Sequence, residues 1–532
     1  MQNWAGTHVF MIGIGGCGMS GLARMLRARG AVVTGVDACA SKTTRDLATH
    51  DIRVLIGPSD PAQARVGYER LPDSCDLVVM TAAVKETHPL LLDAKRRNMR
   101  VLTYARALGQ MMAQCTGVAL AGTHGKSTTA AMLGCILTDA KLDPNVIVGA
   151  GVPQLELGCL APQATKTDVL DGFCVPTSTG FRMGSRTVPY GPFREKPGIL
   201  VAEACEFNRS FLNMRPIVCS IANVEPDHLD VYGSIDSLVD TFADLAALVP
   251  DAADGGYLLI NHDNAHRQKV CAKVTCEIET IGFNPDADWR VEYEPSIQRV
   301  MLSNQDHTVA TWTMKIPGSH NAMNAAVAAV LSLRFGADCA TIAASLERFA
   351  GANRRTQVLG TRSIGRGTHT GDVKVWDDYG HHPTECESTL KAIRQMDNLD
   401  RTDAKLVCVF QPHQHSRTLH FLDEFALAFS DADIVIVPEI YFVRDKDEDR
   451  IKVTGALLVD RLRANGVHAI HMHPFEAITD MLELVCEPGD SLVVMGAGPI
   501  GEVGYAFLHA RDPKPSQSQM IEPQHAHSAA RS

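Results

Sequence analysis

The sequence predicts an α/β chain made of three successive units, and three observations carry that expectation. Short apolar runs alternate with helix-like segments along most of the chain, glycine-rich loops follow apolar strands at three places, and 532 residues exceed what one core organises. At about 150 residues per domain, that length corresponds to three or four domains, and the alternation is the signature of parallel sheets with crossover helices.

The first unit offers the strands HVFMIGIG, AVVTGVD, RVLIG, DLVVMTAA and RVLTY. A second begins at GVALAGTHGK and continues through VIVGAG, GILVAEA and IVCSIANV to the alanine-rich helix HNAMNAAVAAVLSLRFGA. Between its second and third strands, Gly158 to Pro197 is rich in Thr, Pro, Gly and Arg with little periodicity and is expected to be a long insertion or mobile loop. A third unit starts after AGANRR with VKVWDDYG and adds KLVCVFQPH, DIVIVPEI and SLVVMGAG. The expected boundaries are 1–115, 116–351 and 352–511, followed by a polar Pro/Ser/Gln-rich tail, 512–532, expected to be disordered.

Composition narrows the class. Apolar residues make up 45% and charged residues 21%, the profile of an ordinary globular protein. A formal charge of −11 argues against coating nucleic acid. No apolar run reaches the roughly 18 residues of a membrane span, and MQNWAGTHVF lacks the basic start of a signal peptide. Fifteen scattered cysteines without a C-x-x-C pair fit neither a disulfide framework nor a zinc site and point to reduced thiols in the cytoplasm.

The glycine loops carry the first chemistry. Gly13-Ile14-Gly15-Gly16-Cys17-Gly18 follows a strand and opens a helix, with Asp37 ending the next strand. Such glycines let backbone approach a pyrophosphate while the acid meets a ribose; NAD, a UDP-sugar or an unliganded turn all satisfy the pattern. Gly122-Thr123-His124-Gly125-Lys126-Ser127-Thr128 is a shortened phosphate loop, with Leu120 where the longer pattern has glycine. Its amides, lysine and hydroxyl suit the phosphates and magnesium of ATP. Gly496 to Gly501 is a third match, equally explained by a turn that closes the last unit. Two phosphate-type loops suggest one nucleotide used for energy and another belonging to a substrate.

Polar clusters follow the later strands. Glu203 and Glu206 end one apolar run, and Glu225, Asp227, His228 and Asp230 crowd the end of the next. A capped acidic turn explains the second group; a magnesium shell in which Glu206 and His228 join Ser127 explains both. Asp377-Asp378-Tyr379-Gly380-His381-His382 and Gln411 to Arg417 put histidines at the ends of two further strands. Zinc would need a tidier ligand set, whereas a small zwitterion, its carboxylate on Arg417, uses the same residues.

Taken together, GIGGCGMSG, GTHGKSTT, EACEFNRSF, NVEPDHLDVY, GSHNAMNAAVA, GANRR, DDYGHHPTE, FQPHQHSRT, PEIYFVRD and GAGPIGE resemble the Mur ligases, in order and across almost the whole chain. DDYGHHPTE with the PH-x-x-SRT loop is the more specific part and is most similar to the alanine-adding branch. The resemblance implies a Rossmann-like N-terminal domain for a UDP-sugar, a central P-loop-type ATPase domain and a Rossmann-like C-terminal domain for an amino acid. It also implies an ATP-dependent ligase: the lactyl carboxylate of UDP-N-acetylmuramic acid attacks the γ-phosphate, and L-alanine then displaces phosphate from the acyl phosphate, in cytoplasmic peptidoglycan precursor synthesis.

Carried over residue by residue, the resemblance places Gly15, Gly16, Gly18, Met19, Ser20 and Asp37 at the UDP-sugar. It places Gly122, Thr123, His124, Gly125, Lys126, Ser127 and Thr128 around the phosphates of ATP, with His320, Asn321 and Asn324 near the adenine and Arg355 reaching in from the domain boundary. Ser127, Glu206 and His228 would hold Mg2+. Tyr379, His381, His413 and Arg417 would line the amino-acid site, and Lys126, Glu206, His228, His381 and Arg417 would carry catalysis. The family's E-A-D-E-S-D reads Glu203-Ala204-Cys205-Glu206-Phe207-Asn208 here, the arginine expected after His413 is Gln414, and Pro58 stands at a position commonly histidine. No lysine occurs between Lys196 and Lys269, in keeping with the alanine-adding branch, which lacks the carbamylated lysine of other members. A tripeptide-recycling ligase, an NAD-dependent oxidoreductase and a non-catalytic nucleotide binder are the competing expectations. No nucleic acid or membrane partner is expected, and the state is monomer or homodimer.

Overall fold

The computed structural model describes residues 4–57, 70–160, 167–170, 173–176, 179–366, 369–443, 445 and 448–510. Pro58 and the tail 512–532 lie outside them. In the N-terminal part, β1 (His8–Ile12), β2 (Val32–Asp37), β3 (Arg53–Ile56), β4 (Leu77–Met80) and β5 (Arg100–Thr103) form a parallel sheet in the order β3-β2-β1-β4-β5. Every residue of β1 is buried, as a central strand covered on both faces must be. The order reverses at β1, so the loop after it opens at the switch point where α/β sheets take ligands.

The central part runs β6 (Thr116–Ala121), β7 (Asn145–Val152), β8 (Thr167–Leu170), β9 (Phe173–Pro176), β10 (Thr179–Arg182), β11 (Ile199–Glu203), β12 (Val218–Ile221), β13 (Tyr257–Asn261), β14 (Glu277–Gly282), β15 (Trp289–Glu294), β16 (Arg299–Asn304) and β17 (His307–Thr313). Ten of these make one sheet, β10-β7-β11-β6-β12-β13-β14-β15-β16-β17, while β8 and β9 pair with each other. The β6 strand is held between β11 and β12, and the helix Lys126–Asp139 that follows it is buried from Ser127 to Asp139. That helix packs on Ser319–Arg334, where Ala322, Ala325, Ala326, Ala328 and Ala329 allow close approach.

Within the stretch expected to be an insertion or mobile loop, residues 179–197 are anchored. The β10 strand lies antiparallel to β7 at the sheet edge, Thr187 bridges Pro197, and the Phe193 ring packs 4.9 Å from Phe335. Its composition hid this because each piece is too short for a visible period.

Asp139 fastens the same region. Its carboxylate accepts from Cys159 N (2.9 Å), Leu160 N (3.1 Å) and Ser345 Oγ (2.7 Å). Asp139→Ala removes a charged acceptor from three donors, two of them buried, so a loss of roughly 3 kcal/mol is expected. Urea unfolding followed by circular dichroism measures it, and Asp139→Asn should lose less.

The C-terminal part forms the sheet β18-β19-β23-β20-β21-β22 from β18 (Gln357–Arg366), β19 (His369–Asp378), β20 (Leu406–Phe410), β21 (Ile434–Val437), β22 (Ala469–His471) and β23 (Ser491–Met495). Only the β18–β19 pair is antiparallel. The sheet has apolar clusters of its own on both faces, around Trp376 and Phe410 and around Val375 and Phe507. By contrast, one continuous cluster joins Met19 and Leu22 of the N-terminal part to Ile147, Phe211 and Phe242 of the central part. The contacts between the C-terminal and central parts described next are polar.

Candidate active site

The loop after β6 owes its shape to two glycines in the left-handed region, Gly122 at φ 137° and Gly125 at φ 85°. A Cβ on Gly125 would also strike Asn324 Oδ1, which stands directly behind the loop. Left-handed backbone costs a non-glycine residue about 1–2 kcal/mol, so Gly125→Ala is expected to weaken ADP binding about tenfold or more, read by calorimetry. Thr123 exchanges hydrogen bonds with the Glu225 backbone, donating to its carbonyl (3.2 Å) and accepting from its N–H (2.9 Å). Lys126 Nζ donates to Gly122 O (2.5 Å) and Thr123 O (2.8 Å) and pairs with Glu206 at 2.9 Å. Ser127 and Thr128 are buried in the first turn of the helix, and Ser127 Oγ accepts from Arg355 at 3.4 Å.

Glu206 is buried at the end of the strand-to-turn segment after β11, where Tyr232 Oη donates to its carbonyl. Glu206, Asp227 and His228 bring ligand atoms within 4.8 Å of one another. Glu206 Oε2 takes no hydrogen bond, although it faces the Lys126 ammonium. Two carboxylates and an imidazole, with Glu206 Oε2 left an ion-pair contact but no hydrogen bond, fit a divalent cation that also binds phosphate oxygens. His228 sits in the left-handed region at φ 52° and its N–H donates to Asp227 Oδ1 at 2.7 Å, which turns its ring toward the cluster.

The C-terminal part completes the cavity. Arg417, nearly buried, donates to Asp227 Oδ1 through Nη2 (2.9 Å) and Nε (3.3 Å), and its Nη1 lies 3.4 Å from His413 Nδ1. Burial alone would raise the Asp227 carboxyl, but the Arg417 guanidinium outweighs it and holds the group well below the usual range. Most of the Arg417 fork is therefore spent on Asp227, which qualifies the expectation that it serves an amino-acid carboxylate. Burial drives the His381 imidazole down to about 4. Its Nδ1 faces Tyr379 O at 3.0 Å and so carries the proton, leaving Nε2 as an acceptor. The Tyr379 ring lies under the Arg355 guanidinium at 4.8 Å and that of Arg354 at 5.2 Å.

These residues line one cavity of about 800 Å3, together with His320, Asn321 and Asn324. His320 is kept neutral by burial, which moves it down to about 4. Asn321 donates to Pro317 O (2.7 Å) and accepts from Asn324 (3.3 Å), whose own oxygen accepts from Thr129 (3.2 Å). Both amides thus brace the wall behind the loop. Gln414, buried at φ 70°, turns its amide to Val443 O at 3.4 Å rather than into the cavity. Cys205 lies on the cavity wall.

The first glycine loop lies outside this cavity. Asp37 Oδ2 accepts from Gly15 N at 2.7 Å, and a Cβ on Gly18 would fall 2.6 Å from the Tyr104 ring, so Gly15, Gly16 and Gly18 present backbone only. The Met19 and Ser20 side chains turn inward. Met19 is in the apolar core and Ser20 Oγ donates to Cys17 O at 3.0 Å, because both fall on the inward face of the helix Cys17–Ala28. The helix that follows the loop nonetheless packs on β7, where Gly149 N donates at 2.7 Å to Glu203, a cavity residue. The third glycine loop is pinned by Arg354, which donates to Gly496 O (2.6 Å) and Gly498 O (2.9 Å); of its residues only Ala497 meets the cavity.

Sequence reading gave no role to Glu385 and did not connect Glu225 with His124. Glu385 and Glu225 flank His124, with Glu385 Oε1 3.0 Å from Nδ1 and Glu225 Oε2 3.6 Å from Nε2. Burial would depress His124, but the two carboxylates outweigh it and raise the imidazole to about 9. The His382-Pro383-Thr384-Glu385 run, a helix start with Glu at its third position, was the available signal.

Three domain descriptions match the chain: Mur ligase family, catalytic domain, over residues 8–116; Mur ligase middle domain over 120–332; and Mur ligase, glutamate ligase domain, over 354–498. A UDP-N-acetylmuramate–L-alanine ligase from Acetivibrio thermocellus is 34% identical over 94% of this chain and 95% of its own length. One from Clostridium novyi is 33% identical over 94% and 97%. Among solved structures, the UDP-N-acetylmuramate-alanine ligase MurC of Thermotoga maritima superimposes with a TM-score of 0.69 at 22% identity, covering 94% of this chain and 98% of that one. A murein peptide ligase from Psychrobacter arcticus gives 0.65 at 23% identity with the same coverage.

Proposed function

The chain belongs to the Mur ligase family, and from that premise we propose that it joins L-alanine to the lactyl carboxylate of UDP-N-acetylmuramic acid while converting ATP to ADP and phosphate. It is an ATP-dependent amide-forming ligase of peptidoglycan synthesis. The observation that carries the reading at the residue level is the single cavity in which the Lys126 loop, the Glu206–Asp227–His228 cluster and the His381, His413 and Arg417 loops face one another.

The work of the site is positioning and charge neutralisation. Amides of the Gly122 to Thr128 loop and Lys126 receive the phosphates; the ammonium, now 2.8 Å from Thr123 O, turns to the transferring group. Glu206 and His228, with Ser127, are assigned to Mg2+, which offsets phosphate charge when bound. Arg355, already beside Ser127, is placed to neutralise the acyl phosphate from the domain boundary. The neutral His381 offers Nε2 to the amine of alanine, holding its attacking nitrogen in the hydrogen-bonded form that carries the lone pair forward. Arg417 Nη1, beside His413, is assigned to the alanine carboxylate.

The loop after β1 is assigned to the UDP-sugar through backbone at Gly15, Gly16 and Gly18, with Asp37 setting the loop. Divisions at 115/116 and 351/352 are proposed to separate the three working domains. A cytoplasmic site of action accords with the absence of disulfides among the described residues, and no described helix is long and apolar enough to cross a membrane.

The test is phosphate release from ATP with Mg2+ and UDP-N-acetylmuramic acid in the presence of L-alanine, glycine, L-serine or the tripeptide. L-Alanine is expected to give the highest kcat/KM. Preference for the tripeptide would transfer the chain to the recycling activity, and no acceptor-dependent release with any of them would defeat the ligase reading.

A further inference from the structure

We propose that Glu385 is a positioning residue that couples the phosphate-binding loop to the amino-acid-binding loop, one carboxylate setting both halves of the site. The proposal rests on the ligase reading above. Glu385 stands at the third position of the helix Pro383–Met396, where its Oε2 accepts from His381 N (3.0 Å) and His382 N (3.3 Å). A helix cap requires no more than that oxygen. The other oxygen leaves the domain and meets Nδ1 of His124, in the phosphate loop, at 3.0 Å.

His124 is itself fixed, since its N–H donates to Asn223 Oδ1 at 2.8 Å. Its far nitrogen faces Glu225, which in turn accepts from Thr384 Oγ1 at 2.8 Å, one residue before Glu385. The imidazolium is thus gripped by carboxylates from both sides of the domain boundary, and the His381 loop hangs from the same grip. Where domains meet through polar groups rather than a shared apolar core, such contacts set their relative placement. Ordering the phosphate loop around a nucleotide therefore orders His124, then Glu385, then the backbone that aims His381. Reciprocity follows, because any factor by which nucleotide favours the amino acid returns in the opposite direction.

Glu385→Gln keeps size and one acceptor oxygen; with that oxygen on the cap, its amide can only donate to a neutral His124 at Nδ1, so the charged grip on the imidazolium is lost. The expected result is a rise of about tenfold or more in the KM for L-alanine, a smaller fall in kcat, Mg-ADP affinity within about twofold of wild type, and a thermal midpoint within a few degrees. Glu385→Asp, too short to span the gap, should behave likewise. A second readout needs no turnover: Mg-ADP should slow amide hydrogen exchange across residues 379–386 in wild type and fail to do so in Glu385→Gln. An unchanged alanine KM, or equal protection by Mg-ADP in both proteins, overturns the proposal. Wild-type protein without alanine-dependent turnover defeats the ligase reading alone, and the exchange experiment still decides the coupling.

Discussion

Lys126→Ala is expected to remove alanine-dependent phosphate release, by at least about 10²–10³-fold in kcat, the scale on which a single preorganised donor to a transition-state anion acts. The reason lies in how the ammonium is held. It is mostly buried, bonded to two carbonyls of its own loop and paired with Glu206, so it is kept charged within the phosphate loop and needs only to turn to meet the developing phosphoryl charge. Removing it also leaves Glu206 as a buried carboxylate without its cation, which is strongly unfavourable, so a lowered thermal midpoint should accompany the lost activity. Lys126→Arg should restore little turnover, since a planar fork does not reproduce a compact ammonium. Steady-state phosphate release and a thermal melt on the same samples check both parts.

Arg417→Ala is expected to be nearly as damaging, for a different reason. Its side chain and that of Asp227 are 5% and 7% exposed, so the pair is withdrawn from water at the junction of two domains. Truncating one partner of such a pair costs about 2–5 kcal/mol, here relieved by parting the domains rather than by unfolding them. The effect should fall on L-alanine, with kcat/KM down by about 10²-fold or more while ATP binding changes little. Kinetics with each substrate varied in turn separate this from general destabilisation, which would lower both.

Much of the N-terminal and central architecture was legible because its strands are buried on both faces and read as apolar runs between helices. HVFMIGIG, GVALA and IVCSIANV are of this kind, and each becomes a central strand. The β15 to β17 meander escaped because its strands are partly exposed and interleave charged residues, as in WRVEYE. The β18 strand, QVLGTRSIGR, escaped because glycines and polar residues interrupt its apolar pattern, and β22 is only three residues long.

At the site, glycine spacing announced the phosphate loop, because positive φ at Gly122 and Gly125 admits little else. The motif strings placed Glu206, His228, His381 and Arg417, which the fold brings to one cavity. Contacts across domains were invisible in principle. Nothing in the chain order links Asp227 to Arg417, 190 residues away, or His124 to Glu385, 261 residues away. Side-chain direction was equally unreadable: Met19 enters the apolar core, and Ser20 Oγ bonds Cys17 O.

The central claim is that this cavity activates a carboxylate by phosphorylation before the amine attacks. UDP-N-acetylmuramic acid labelled with oxygen-18 in its lactyl carboxylate, incubated with the protein, ATP, Mg2+ and L-alanine, tests it by mass spectrometry of the released phosphate. One labelled oxygen in the inorganic phosphate, matched by an alanyl product, is the result expected of an acyl phosphate formed here. Product formed with phosphate free of label would contradict it.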